Sequence, residues 1–151
     1  MKYYVSLFVL LSLIVLTGCK KGDGNIFVTG TINLEGSPLE GASVIFTAAE
    51  GSSGEDASGK TDETGKYVLQ TVTGRSGSGT KPGEYRVSVV KKNIEHTGRF
   101  INRPGQDPVE DVIITDILHK EYSSYSTTPL RATVTNKKED NVINFDLKQK
   151  P

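Results

Sequence analysis

Short segments with alternating apolar and polar positions recur along this chain. In the stretch Ile26–Leu34, Val28, Gly30, Ile32 and Leu34 fall on one face of an extended strand. Ala42–Ala48 repeats the pattern with Ala42, Val44, Phe46 and Ala48, and Glu84–Lys92 does so with Tyr85, Val87 and Val89. Leu130–Val134 and Val142–Leu147 follow, the latter pointing Ile143, Phe145 and Leu147 inward. A period of two over four to eight residues predicts half-buried strands. Between the second and third of these runs lies Thr61-Asp62-Glu63-Thr64-Gly65-Lys66-Tyr67, a turn that leads into a predicted strand Lys66–Val72. Asp62 can accept bonds from backbone amides two residues on, and Gly65 can take positive φ without steric cost. Tyr67 and Leu69 then share one face, and Val68 and Gln70 the other.

The segments between the strands predict turns and loops. Glu35–Pro38 is a turn, Glu50–Lys60 a Gly/Ser/acid-rich exposed loop, and Thr73–Gly83 a flexible loop closing on Lys81-Pro82-Gly83. Asn136–Asn141 predicts a charged hairpin turn, and Lys148–Pro151 a tail. Asn93–Thr128 departs from this rhythm and is too long for a simple connection, which marks it as functional or mobile. Within it, Val112–Leu118 is apolar enough for an extra edge strand, and Glu121–Thr128 is rich in Ser, Thr and Tyr.

The N-terminal residues follow a different pattern. Lys2 precedes Val5–Leu16, an apolar run broken only by Ser6 and Ser12. A run of about a dozen residues suits a signal peptide better than a spanning helix, which needs roughly 20. Leu16-Thr17-Gly18-Cys19 closes the run and resembles the lipobox of bacterial lipoproteins. The resemblance implies a diacylglyceryl group on the Cys19 sulfur and cleavage before Cys19. Acyl chains contribute about 0.8 kcal/mol per buried CH₂, and one chain alone holds only marginally, so two or three chains on Cys19 give stable anchoring. Residues 1–18 are thus expected to be a signal helix, and residues 19–25 the lipidated cysteine and a polar, Gly-bearing spacer. Residues 26–148 are expected to form one domain.

Composition narrows the function. The chain has 151 residues, enough for one domain, and 16 Gly spread through turns. Without residues 1–18, whose sole charge is Lys2, 17 bases face 18 acids. Such a balance gives no electrostatic footprint for nucleic acid. Cys19 is the sole cysteine, so no disulfide can form within the chain. Together with His96 and His119, it offers too few ligands in any pattern for a zinc site. The loop acids Glu50, Glu55, Asp56, Asp62 and Glu63 are the best calcium candidates but lack the spacing of a dedicated loop. Gly74–Lys81 lacks the Gly-Lys-Ser/Thr of a phosphate loop, and no Gly-x-Ser-x-Gly elbow is present. No catalytic residue, metal or cofactor is expected.

Four motifs occur in order: Gly30-x-Ile32, Pro38-Leu39-x-Gly41-Ala42-x-Val44-x-Phe46, Thr61-Asp62-x-x-Gly65-x-Tyr67 and Pro82-Gly83-x-Tyr85-x-Val87. Together they resemble the carboxypeptidase-regulatory-like, or transthyretin-like, domain. The resemblance implies an all-β, Greek-key β-sandwich of about seven strands (prealbumin-like), a module without an active site of its own. Leu118…Tyr122, Leu130-Arg131-Ala132-Thr133-Val134 and Phe145-Asp146-Leu147 are similar to the ending of short planctomycete-type lipoproteins, with His119 where those have proline. The expected function is a lipid-anchored binding or structural domain of the bacterial envelope, periplasmic or surface-exposed, contacting an envelope protein or a polysaccharide. Tyr122 and Tyr125 are candidates for stacking on a sugar ring, with Tyr122 also placed to pack against the core edge. Two alternatives compete with this reading. One is a small transthyretin-like hydrolase, disfavoured by the ending Leu147-Lys148-Gln149-Lys150-Pro151. The other is an accessory subunit that pairs through an edge strand.

Overall fold

The structure, a computed structural model, describes residues 24–71, 74 and 77–149. The signal segment, the lipobox Leu16-Thr17-Gly18-Cys19, the first part of the spacer and Val72 lie outside the described residues. The described chain is a β-sandwich. It contains eleven strand segments and two short 3₁₀ turns.

Strand β1 (Thr29–Leu34) is the axis of the first sheet. It pairs in parallel with β11 (Phe145–Leu147) on one side. On the other side it pairs antiparallel with β2 (Ser37–Pro38) and, further along, with β5 (Lys66–Val68). The second sheet runs β10-β7-β3-β4-β6, antiparallel throughout. Its members are β3 (Ser43–Ala48), β4 (Ala57–Lys60), β6 (Gln70–Thr71), β7 (Gly83–Val90) and β10 (Arg131–Val134). The alternation in the sequence sets which faces meet. Val28 and Ile32 of the first sheet and Val44, Phe46, Val87 and Val89 of the second are wholly buried. The ring of Phe46 lies 6.2 Å from that of Tyr67 across the sandwich and 5.7 Å from that of Tyr85 beside it.

The predicted strand Lys66–Val72 divides at Leu69. Its first half bonds to β1 and its second half to β4, so this strand is a corner shared by both sheets. Leu69 is fully buried there, and its amide donates to the Val28 carbonyl at 3.0 Å. Tyr67 and Leu69 point inward, as the alternation predicts.

Three connections differ from expectation. Ala57–Lys60, predicted as the end of an exposed loop, is strand β4. Its sequence Ala-Ser-Gly-Lys has no apolar alternation, and the backbone partners β3 and β6 impose the extended form. Asn136–Asn141 is not a hairpin turn: β10 belongs to the second sheet and β11 to the first, so the segment crosses between them. Buried Asn141 holds that crossing. Its Oδ1 accepts from the Thr135 amide at 2.9 Å, and its Nδ2 donates to the carbonyls of Thr135 and Lys137 at 3.0 and 2.7 Å.

The largest difference lies in Asn93–Thr128. It begins with β8 (Lys92–Ile101), which folds back through β9 (Val109–Asp116) as a two-stranded antiparallel ribbon. Of the predicted edge strand Val112–Leu118, residues 112–116 are therefore part of a separate ribbon, not an edge of the sandwich, and Ile117 and Leu118 lie past it. Past the ribbon, Leu118 and Tyr122 return to the core, the latter on a 3₁₀ turn at Lys120–Ser123.

Closure of the first sheet depends on a contact that the Gly30 backbone permits. A Cβ on Gly30 would stand 1.7 Å from the Ile143 carbonyl oxygen and 2.9 Å from the Tyr67 hydroxyl. With glycine there, the Tyr67 hydroxyl donates to that carbonyl at 2.7 Å. Burial pushes the Tyr67 phenol well above its ordinary pKa. Tyr67→Phe removes the bond and is expected to lower stability by roughly 0.5–1.5 kcal/mol in denaturant titration. A folded-state value above the unfolded one stabilises fully below the ordinary phenol value and loses that effect as pH rises through the folded value. Tyr67→Phe should therefore flatten the alkaline limb of a stability–pH profile, and an unchanged limb would show that another group governs it.

Candidate functional site

The turn Asp62–Lys66 passes the chain from β4 in the second sheet to β5 in the first. Asp62 Oδ1 accepts from the amides of Thr64 and Lys66 at 2.9 and 3.0 Å and from the Thr64 hydroxyl at 2.7 Å. These bonds, the Thr64 hydroxyl first among them, favour the charged carboxylate and hold its pKa below the ordinary value. Gly65 adopts φ +74°. A Cβ there would also stand 2.6 Å from the Ile32 carbonyl oxygen and 3.2 Å from the Leu39 amide nitrogen. The turn thus lies flat against β1, where the Ile32 amide donates to the Gly65 carbonyl at 2.8 Å.

Where β4 and β5 part, an open groove of about 770 Å³ forms beside this turn. Ile45 and Val68 line it together with Ser43, Ser58 and Gln70, and Lys60, Asp62 and Lys66 bring charge to it. The arrangement offers hydroxyl, amide and ammonium donors over two aliphatic side chains. It suits a polar ligand held by hydrogen bonds.

The second candidate is the ribbon. Ile94, Phe100, Ile113, Ile114 and Val109 are each at least half exposed on it. They fall on both faces of the ribbon, and exposed apolar side chains grouped on one element in this way mark an interaction site. Among the described residues no strand pairs with either outer edge of the ribbon, and a two-stranded ribbon on its own is marginally stable in water.

The other predicted residues disperse. Glu55 forms an ion pair with Lys81 at 2.9 Å, and Asp56 accepts from the Ala48 amide at 2.9 Å. Among the described residues, no group of three or more His, Cys, Asp and Glu is placed to hold a metal ion. His96 Nδ1 lies 2.9 Å from Glu110 across the ribbon, and His119 caps the 3₁₀ turn through the Glu121 amide. Tyr122 is buried against the core edge. Tyr125 is exposed, but the Arg86 guanidinium covers one face of its ring at 5.0 Å. Tyr122 is thus engaged within the domain, whereas Tyr125 remains 40% exposed. Asp62, Gly65 and Tyr67 are brought together with β1, while Cys19 lies outside the described residues. The groove was missed because Ser43, Lys60 and Gln70 come from three strands whose adjacency the sequence does not encode.

Comparison with protein families, curated proteins and solved structures gave no match. The class established by the fold is an all-β sandwich domain carrying a projecting ribbon.

Two substitutions test the turn. Gly65→Val forces a β-branched residue into left-handed backbone, costing on the order of 1–3 kcal/mol, and also collides with the Ile32 carbonyl. The melting temperature should fall sharply, and a parent-like value would place the register of β5 on β1 in error. Asp62→Ala should destabilise modestly at neutral pH. Because the folded-state pKa is depressed, the Asp62 contribution is complete above the ordinary carboxylate value and vanishes as pH falls through the folded value. The gap between Asp62→Ala and parent should therefore close on acidification, as followed by thermal melts; a constant gap would contradict it.

Proposed function

We propose that the chain is a lipid-anchored, non-catalytic binding or structural domain of the bacterial envelope. The observation that carries this reading is Leu16-Thr17-Gly18-Cys19 at the end of the apolar run. Cys19 is the site of lipid attachment, and residues 20–25 form a tether that holds the sandwich off the bilayer. The partner is another envelope protein, met through the ribbon, or a polysaccharide, met through the groove of Lys60, Asp62 and Lys66. The exposed ribbon favours the protein, since strand pairing supplies affinity through main-chain bonds and apolar side chains add area.

Anchoring depends on the Cys19 sulfur, the soft nucleophile that lipid transfer uses. Metabolic labelling with a fatty-acid analogue should mark the parent. Cys19→Ser should remain unlabelled, as an uncut precursor. Label incorporated into Cys19→Ser would overturn the assignment.

A further inference from the structure

The two faces of the β8–β9 ribbon differ in charge. Register and alternation place Ile94 and Phe100 of β8 with Val112 and Ile114 of β9 on one face. Ile94 and Ile114 are each 55% exposed and Phe100 is 62% exposed. On that same face Lys92 stands opposite Asp116 at the ribbon's base, and His96 meets Glu110 at 2.9 Å further out. Basic groups thus lie on β8 and acidic groups on β9. By the same alternation the opposite face carries Glu95, Arg99 and Asp111 with Ile101, Val109 and Ile113; Arg99 falls in the irregular stretch between His96 and Phe100, and no register position there sets a base against an acid.

This pattern makes the first face complementary to itself. A two-fold axis along the ribbon would lay β8 of one copy over β9 of another. Lys92 would then face Asp116 of the second copy, and Ile94 would face Ile114. The opposite face, stacked in the same way, would set Glu95 over Ile113 and offer no base-to-acid pair at any register position. We propose that the ribbon is a homodimerisation arm, joining two copies of this chain through the Ile94/Ile114 face. This rests on the reading of the ribbon as a contact surface and names its partner as a second copy. The contact is isologous, so it closes at two.

The size of the ribbon sets the strength of the contact. The 8 residues of β9 span roughly 26 Å at about 3.3 Å each, and two strands are about 10 Å wide. One such face is smaller than the ~800 Å² per partner of a standard interface, which places the dimer at the weak end. Tethering both copies to one membrane would raise their effective concentration and favour the pair.

The test uses the full chain in mild detergent, with mass followed by sedimentation up to about 100 µM, where contacts of this weaker class are populated. The parent should show a concentration-dependent dimer. Lys92→Asp and Asp116→Lys should each weaken it at least about tenfold, because the two-fold axis turns both Lys92–Asp116 contacts into like-charge pairs. An equimolar mixture of the two variants should restore it, because each supplies the charge the other lacks. Glu95→Lys, on the opposite face, should leave the dimer unchanged, and thermal melts should show that every variant is folded. A parent that stays monomeric, a mixture that fails to recover, or a Glu95→Lys variant as weak as Lys92→Asp would each overturn the proposal. The fatty-acid labelling of Cys19 is independent of these outcomes, so failure of the arm and failure of the anchor are separable.

Discussion

The Ile143 carbonyl accepts the Tyr67 hydroxyl over a glycine that contributes no side chain, and most of the first sheet depends on that closure. Gly30 lies on β1, Tyr67 on the corner strand and Ile143 beside the last strand. A single methyl on Gly30 would separate all three. The Thr29 amide donates to the Asn141 carbonyl at 3.1 Å and the Ile143 amide to the Thr29 carbonyl at 2.8 Å. The parallel pairing of the last strand therefore begins at the point where the tyrosine is seated. Parallel pairs need a long connection between their strands, and here almost the entire domain serves as that connection.

The corner strand distributes the same constraint to the second sheet. Tyr67 lies against Phe46 while its own backbone belongs to the first sheet, so one residue fixes both the spacing and the register of the layers. The turn before it is held by Asp62 and flattened by Gly65. This polar cap on an apolar corner also creates the groove, because β4 and β5 separate only where the chain leaves one sheet for the other. Tyr85 plays a parallel part: its hydroxyl donates to the Lys81 carbonyl at 2.6 Å and accepts from the Glu55 amide at 3.0 Å, anchoring the acid-rich loop.

The ribbon is the part of the domain least tied to this frame. It leaves at Lys92 and returns at Leu118, and the Ile117 amide donates to the Lys91 carbonyl at 3.0 Å across its base. Its apolar side chains face solvent on both sides, so its stability draws on its own cross-strand bonds and on whatever covers it. None of the ribbon residues belongs to the buried core cluster, so contacts on the arm need not disturb the sandwich.

The sequence by itself determined the inward faces. Val28 and Ile32, Val44 and Phe46, Val87 and Val89, and Ala132 and Val134 are all buried where period-two alternation puts them, because a strand has only two faces and one must leave water. Asp62 and Gly65 were legible for the same local reason, since a turn's chemistry is contained in its own few residues. Tertiary structure alone decided which strands are neighbours. β4 has no hydrophobic signal and exists because β3 and β6 flank it. The segment after β10 resembles a hairpin turn, yet it crosses between sheets because Asn141 is buried and bonded within it. The ribbon's alternation is weak because both of its faces mix apolar and charged residues, so no single face declares itself. The groove needs four strands brought together, and Gly30 needs Tyr67 and Ile143 at one point. Those are long-range coincidences of position, which local patterning does not contain.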